Sequence, residues 1–128
     1  MHKSKLAGFI IDCQTSNLDG AASFWSEALG MPMEQLPGAE GEKYVRLKDK
    51  TGQMHVEVQS VDHASRVHLD IETDNIVAEV ERLQALGAVV VEHVHSWCVM
   101  QAPTGQRFCV VRKDSERFDQ QANVWPGG

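Results

Sequence analysis

The stretch TGQMHVEV at residues 51–58 and the stretch TGQRFCVV at residues 104–111 share a turn and the start of an apolar strand. A second pair of similar segments precedes them. LDGAASFWSEALG at 18–30 aligns with NIVAEVERLQALG at 75–87, and both end in ALG. Self-similarity at a nearly constant spacing is typical of an internally repeated fold. The chain is therefore predicted to contain two copies of one structural module.

Each of the two longer segments has the start and stop signals of a helix. Asn17 and Asp74 are predicted to be the N-caps, because short polar side chains accept hydrogen bonds from the first free backbone N–H groups. Gly30 and Gly87 stand where a left-handed C-cap residue is expected. Pro32 then prevents the first helix from continuing. Two helices of similar length are therefore predicted.

Runs of β-forming residues surround each helix in the same order. In both halves one run precedes the helix and three follow it. The runs are GFIIDCQ, MPMEQL, KYVRLKD and QMHVEVQ in the first half, and RVHLDIE, AVVVEHV, SWCVMQA and RFCVVR in the second. Each half therefore predicts a βαβββ module, and the fold class is α+β.

The run at 67–72 alternates between apolar and polar residues, as a half-buried strand does. The apolar set is expected to pack on the helix, and the polar set is expected to face a cavity or solvent. The apolar residues are Val67, Leu69 and Ile71, and the polar residues are His68, Asp70 and Glu72.

Composition limits the possible function classes. A chain of 128 residues with 42% hydrophobic residues predicts one soluble globular domain. The net charge of -6 argues against nucleic acid and anionic lipid as partners. Apolar runs are shorter than the roughly 20 residues that a membrane span needs. The cysteines Cys13, Cys98 and Cys109 lack CxxC spacing, which predicts reduced core thiols in a cytoplasmic protein.

The segments FWSEALGMP, RVHLDIETDNIVAEVERLQALGA and WCVMQAPTGQRFCVV resemble the vicinal oxygen chelate superfamily. This superfamily includes glyoxalases, bleomycin-resistance proteins and extradiol dioxygenases, and the likeness is strongest to its small glyoxalase-like domain proteins. The resemblance covers residues 7–112. It implies that each module curls its mixed sheet into a half-barrel with a ligand cavity on the concave side. It also implies a small-molecule ligand and a homodimer.

The predicted organisation is a single glyoxalase-like domain over residues 1–128. Module one covers about residues 7–60 and module two about residues 65–112. The polar tail at 113–128 either frays or docks on the body or a partner subunit through its few apolar side chains.

Metal enzymes of this superfamily place four ligands on the first and last strands of the two modules. His68 stands at one of these positions, whereas Ile10 occupies the matching position in module one and Cys109 the last position in module two. The fourth position is Val56 or Glu57, depending on the strand register. The alternation of polar and apolar residues favours Glu57 on the cavity side.

The resemblance therefore implies a possible divalent metal, Zn, Ni, Mn or Fe, on His68 and Glu57. His55 is a third candidate ligand, and Asp70 is a possible helper. Without a metal, His68 beside Asp70 or Glu57 is a candidate for moving a proton next to a carbonyl group. His68 and Glu57 are thus the candidate catalytic residues.

Further side chains are candidates for contact with a ligand. Trp97 and Tyr44 offer aromatic surface, and Arg46 offers a cation, on strands expected to border the cavity. Asp70 and Cys109 are expected on the same side. Core packing for Trp97 and a solvated outer face for Arg46 are the alternatives.

Three functions remain open at this point. One is a small-molecule-binding protein that holds its ligand in the half-barrel cavity. Another is a metal-dependent lyase, isomerase or dioxygenase that uses His68 and Glu57. The third is a structural or regulatory dimer with a vestigial cavity. A shared fold does not choose among them.

Overall fold

The structure is a computed structural model, and it describes residues 1–127. In chain order the elements are β1 (His2–Gln14), α1 (Leu18–Leu29), β2 (Met33–Gln35), α2 (Glu40–Lys43), β3 (Tyr44–Leu47), β4 (His55–Val61), β5 (Arg66–Thr73), α3 (Ile76–Ala85), β6 (Val89–Val94), β7 (Trp97–Gln101), β8 (Arg107–Arg112), α4 (Phe118–Gln121) and β9 (Asn123–Trp125). The predicted βαβββ order is present in both halves.

The helix caps agree with the sequence signals at one helix and differ at the other. The side chain of Asn17 accepts a hydrogen bond from Gly20 N at 3.0 Å, and Gly30 ends α1 in the left-handed conformation. The prediction of Asp74 as the second cap was wrong, because Asn75 accepts from Ala78 N at 3.0 Å. The Asp74 carboxylate instead accepts from the backbone N–H of Lys3.

The chain divides into two compact units. The module-one unit is Gly8–His68. Its strand order is β2-β3-β4-β1, with β1 parallel to β4 and the other neighbours antiparallel. Helix α1 packs on one face of this sheet, because its apolar stripe buries a set of strand side chains there. The buried cluster consists of Ala22, Val45, Leu47, Val56 and Val58.

The module-two unit is Met1–Ala7 together with the described residues from Leu69 onward. Its strand order is β5-β8-β7-β6, with β5 parallel to β8. Helix α3 packs on this sheet. The buried cluster consists of Val80, Leu83, Ala88, Cys98, Met100 and Val110. Mixed sheets with one packed helix each confirm the predicted α+β class.

The alternation predicted for strand β5 holds over part of its length. Ile71 packs against the α3 core cluster, as expected. Val67 and Leu69 do not, since 59% and 51% of their surfaces are exposed. Helix α3 begins only at Ile76, after the strand has ended, and its core cluster reaches back along β5 to Ile71. The expectation that Val67 and Leu69 pack on the helix was therefore wrong.

The C-terminal tail docks on the module-two unit. Phe118 is buried, and β9 pairs antiparallel with the start of β1. The indole N–H of Trp125 donates to Ser4 Oγ at 2.8 Å, and the Arg82 guanidinium lies 3.8 Å from the Trp125 ring centre. The docked alternative for the tail is the one observed.

Two further sequence predictions concern cysteines and membranes. The three cysteines are free thiols, and burial raises the pKa of Cys98. In the described part of the chain, every helix is too short or too polar to cross a bilayer.

Candidate functional site

The sheet of the module-one unit has one polar face. Because Val45 and Val58 point into the core beneath α1, the residues that alternate with them lie on the opposite face. The register pairs Tyr44 with Gln59 and Arg46 with Glu57. On β1, the residues in register with Glu57 and Gln59 are Ile10 and Asp12.

A histidine–carboxylate pair lies on this face. His68 Nδ1 is 2.7 Å from Asp12 Oδ2, and the two side chains are 13% and 2% exposed. A carboxylate accepts hydrogen bonds, so the contact places the proton on Nδ1 of His68. In the neutral ring, Nε2 is then the acceptor nitrogen. This is the arrangement by which a carboxylate orients a histidine for proton transfer.

The Asp12 carboxylate is incompletely satisfied. Its Oδ1 atom is buried and has no hydrogen-bond partner among the described residues. Arg66 approaches the other oxygen, with its Nε at 3.8 Å from Oδ2. A buried polar atom without a partner is rare in native proteins and calls for a specific reason.

Glu57 belongs to an ionic network on the same sheet face. Its Oε2 lies 3.2 Å from both Arg46 Nη2 and His55 Nε2. Burial works to raise the pKa of Glu57, but the hydrogen bonds and charges of His55 and Arg46 outweigh it and hold the pKa below its usual value. Glu57 is therefore an ionised group with its charge compensated.

Tyr44 lies on this face beside Gln59, whose amide donates to the Tyr44 hydroxyl at 2.9 Å. Gln59 is also the register neighbour of Asp12. The predicted ligand residues Tyr44 and Arg46 thus share one sheet face with the Asp12–His68 pair.

The other predicted ligand residues lie in the module-two unit. Asp70 is in register with Cys109, and Cys109 with Val99. Since Cys98 and Met100 face the α3 core, Val99 and Trp97 lie on the opposite face. Trp97 is half-buried, and its ring is 5.9 Å from that of His95.

Of the predicted metal ligands His68, Glu57 and His55, the last two lie together, with Glu57 Oε2 3.2 Å from His55 Nε2. Arg46 also holds Glu57, so a metal would compete with its guanidinium for this carboxylate. Asp12 holds Nδ1 of His68, and Ile10 offers no donor atom. Superfamily members commonly bind a divalent metal.

Asp12 and Arg66 are the site residues that sequence reasoning missed. Asp12 had a detectable signal, since it is an ionisable residue in the otherwise apolar run GFIIDCQ. Such residues are seldom buried without a partner. Arg66 had no distinguishing signal at the start of its strand.

Comparison with known proteins agrees with this architecture. A sequence model of the glyoxalase-like domain family matches residues 8–111. The chain belongs to this family. The predicted membership of the vicinal oxygen chelate superfamily is confirmed. No curated protein matches the chain significantly.

Solved structures share the fold at low sequence identity. A hypothetical protein from Bacillus halodurans has a TM-score of 0.65 at 9% identity, over 88% of this chain and 96% of that one. Methylmalonyl-CoA epimerase from Mycobacterium tuberculosis has a TM-score of 0.65 at 13% identity, over 85% and 87%. A mutant of 4-hydroxymandelate synthase from Streptomyces coelicolor has a TM-score of 0.56 at 14% identity, over 90% of this chain and 50% of that one. At these identities the likeness concerns the fold.

Proposed function

We propose that this glyoxalase-like protein binds a small organic molecule on the polar face of module one and moves a proton on it through His68. The observation that carries the proposal is the 2.7 Å contact between His68 Nδ1 and the buried Asp12 carboxylate. Asp12 orients the ring and stabilises its protonated form, while Nε2 exchanges the proton. Tyr44 and Arg46 are proposed to contact the ligand, since both lie on this face.

Glu57 takes a different role from the one its sequence position suggested. An ionised carboxylate held by Arg46 and His55 is a poor proton acceptor, because its low pKa favours the charged form. We propose that Glu57 fixes the positions of Arg46 and His55. His68 and Asp12 then form the acid–base pair.

The experiment is deuterium exchange at carbon next to a carbonyl group, followed by proton NMR in D₂O. The panel contains 2-oxobutyrate, its methyl ester and an acyl thioester. Wild-type protein is expected to exchange at least one compound, since general acid–base catalysis contributes about 10²–10⁴-fold. His68→Gln should lose this rate, and Asp12→Asn should lose at least about tenfold. The rate should not change with EDTA.

Two outcomes would count against the proposal. Equal rates in wild type and His68→Gln would mean that the histidine is not the acid–base group. Loss of exchange with EDTA, restored by added metal, would instead support metal-dependent chemistry.

The second candidate is a metal-dependent lyase, isomerase or dioxygenase, and one register observation favours it. Asp70 is opposite Cys109 in the register of β5 and β8 within the module-two unit. Carboxylate and thiolate donors suit zinc or iron. A metal held by these two side chains would supply Lewis-acid activation of a bound oxygen. Elemental analysis of wild type and Cys109→Ser tests this candidate.

We further propose a single glyoxalase-like domain, a cytoplasmic location and a homodimer. One family match over residues 8–111 supports a single glyoxalase-like domain with modules at about 7–60 and 65–112. A cytoplasmic location is supported by three free thiols. Size-exclusion chromatography with light scattering tests the proposed homodimer.

A further inference from the structure

Resting on the proposed acid–base pair, we infer that Arg66 selects ligands that carry a carboxylate group. The substrate class is a small organic acid whose carboxylate binds Arg66 while a nearby carbon that carries an acidic proton is presented to His68. Three features of the module-one unit support this role: the contacts that hold Arg66, the charges around it, and its spacing from His68.

Arg66 is positioned by a neighbour that leaves part of its guanidinium available. His63 Nδ1 lies 2.8 Å from the Ala64 carbonyl oxygen, which places the ring proton on Nδ1. His63 Nε2 is then an acceptor for Arg66 Nη2 at 3.4 Å. The Nε atom points towards Asp12, so among the described residues these two contacts leave the Nη1 donors for a ligand. Arg66 is 46% exposed, which gives a ligand access.

The local charge suits an anion. Arg66 is 3.8 Å from Asp12 Oδ2, too far for a direct hydrogen bond. The guanidinium is therefore not committed to a tight ion pair. Arginine binds carboxylates through two parallel N–H groups, which gives direction as well as charge. By contrast, Arg46 Nη2 lies within hydrogen-bond distance of Glu57 Oε2, at 3.2 Å, and so has fewer donors to offer.

The spacing along β5 places the side chains of Arg66 and His68 next to each other on one face of the strand. Arg66 and His68 are two residues apart in one strand, so both side chains leave the same face about 6.6 Å apart. A carboxylate on Arg66 thus directs the rest of a short ligand along the strand towards His68. This spacing favours a short acid.

The test compares 2-oxobutyrate with methyl 2-oxobutyrate, which differ in the carboxylate charge. Deuterium exchange rates are measured as kcat/KM for wild type, Arg66→Gln, Arg66→Lys and Arg112→Gln. Arg112 is an exposed arginine on β8 and serves as the matched control. Wild type should prefer the acid by about 30-fold, as charged hydrogen bonds predict. Arg66→Gln should abolish this preference, and Arg66→Lys should restore part of it.

The outcomes separate this inference from the proposed function. Exchange of both compounds at equal rates, dependent on His68 but not on Arg66, overturns the inference and leaves the acid–base pair in place. Failure of wild type to exchange either compound also overturns it, because the acid would then not be a substrate. A loss of preference in Arg112→Gln equal to that in Arg66→Gln would show a general charge effect and would likewise overturn it.

Discussion

Each compact unit contains a buried histidine–carboxylate pair, and the two pairs differ in how the carboxylate is satisfied. In the module-two unit, His2 Nε2 is 2.7 Å from Glu79, and Arg82 donates to both Glu79 oxygens at 2.9 and 2.8 Å. In the module-one unit, the distance between His68 and Asp12 is also 2.7 Å, but Asp12 Oδ1 has no partner among the described residues.

We interpret this difference as one between a stabilising pair and the proposed acid–base pair. Glu79 is fully buried, and the Trp125 ring covers the guanidinium that neutralises it. Such a network holds the N-terminal strand, α3 and the tail together. Asp12 is nearly as buried, yet one of its oxygens has no hydrogen-bond partner among the described residues. Groups of this kind concentrate at functional sites.

The largest loss in the free energy of unfolding is expected from Glu79→Ala. The substitution leaves His2 and Arg82 without their shared acceptor, and breaking a buried pair costs about 3 kcal/mol or more. Urea unfolding of tag-free protein measures this free energy. A loss below about 1 kcal/mol would show that the network does not hold the unit together.

A smaller loss in the free energy of unfolding is expected when the pH becomes acidic. Burial acts to raise the pKa of Glu79, but hydrogen bonds from Arg82, His2 and Ser4 outweigh it and lower the pKa. A lowered pKa means that ionised Glu79 adds stability above its unfolded value of about 4.3, and this stability is lost as the pH falls through the folded value. The pKa of Glu57 is also lowered, so ionised Glu57 likewise adds stability that is lost at acid pH.

Glu79→Gln provides the control for this pH dependence. The variant lacks the titrating group, so its free energy of unfolding should fall less steeply below about pH 4.5 than that of the wild type. Urea midpoints measured across the acid range give both slopes. Identical slopes would mean that Glu79 does not contribute to the acid sensitivity.

Trp125→Phe should lower the free energy of unfolding by about 1 kcal/mol. The variant keeps an aromatic ring beside Arg82 but loses the hydrogen bond from the indole N–H to Ser4 Oγ. Thermal unfolding and protection of the β9 amides in hydrogen exchange both report the change. No change in either would mean that the indole hydrogen bond does not help to hold the tail in place.

The smallest stability effect is expected from Asp12→Asn. Asparagine keeps an oxygen for His68 Nδ1–H, and the loss of a buried charge offsets the loss of the charged hydrogen bond. The free energy of unfolding should therefore change by less than about 1 kcal/mol. A destabilisation as large as that of Glu79→Ala would mean that the Asp12–His68 pair stabilises the fold as the Glu79 network does.

Local patterns in the sequence predicted much of this architecture. The repeat, both helices and the polar face of β4 follow from short-range periodicity, and His55 and Glu57 do share one face as their alternation indicated. The Asp12–His68 pair could not be predicted this way, because it joins residues 56 positions apart. The same reason explains the wrong N-cap, since Asp74 is engaged by the distant Lys3.

The central claim is tested most directly by nitrogen-15 NMR of the histidine side chains in wild-type protein at neutral pH. His2 contacts Glu79 through Nε2, whereas His68 contacts Asp12 through Nδ1. The account predicts a protonated Nε2 in His2 and a protonated Nδ1 in His68, with Asp12→Asn altering only the His68 signals. An unprotonated Nδ1 in His68 would contradict the claim, because Asp12 would then not orient the ring for proton transfer.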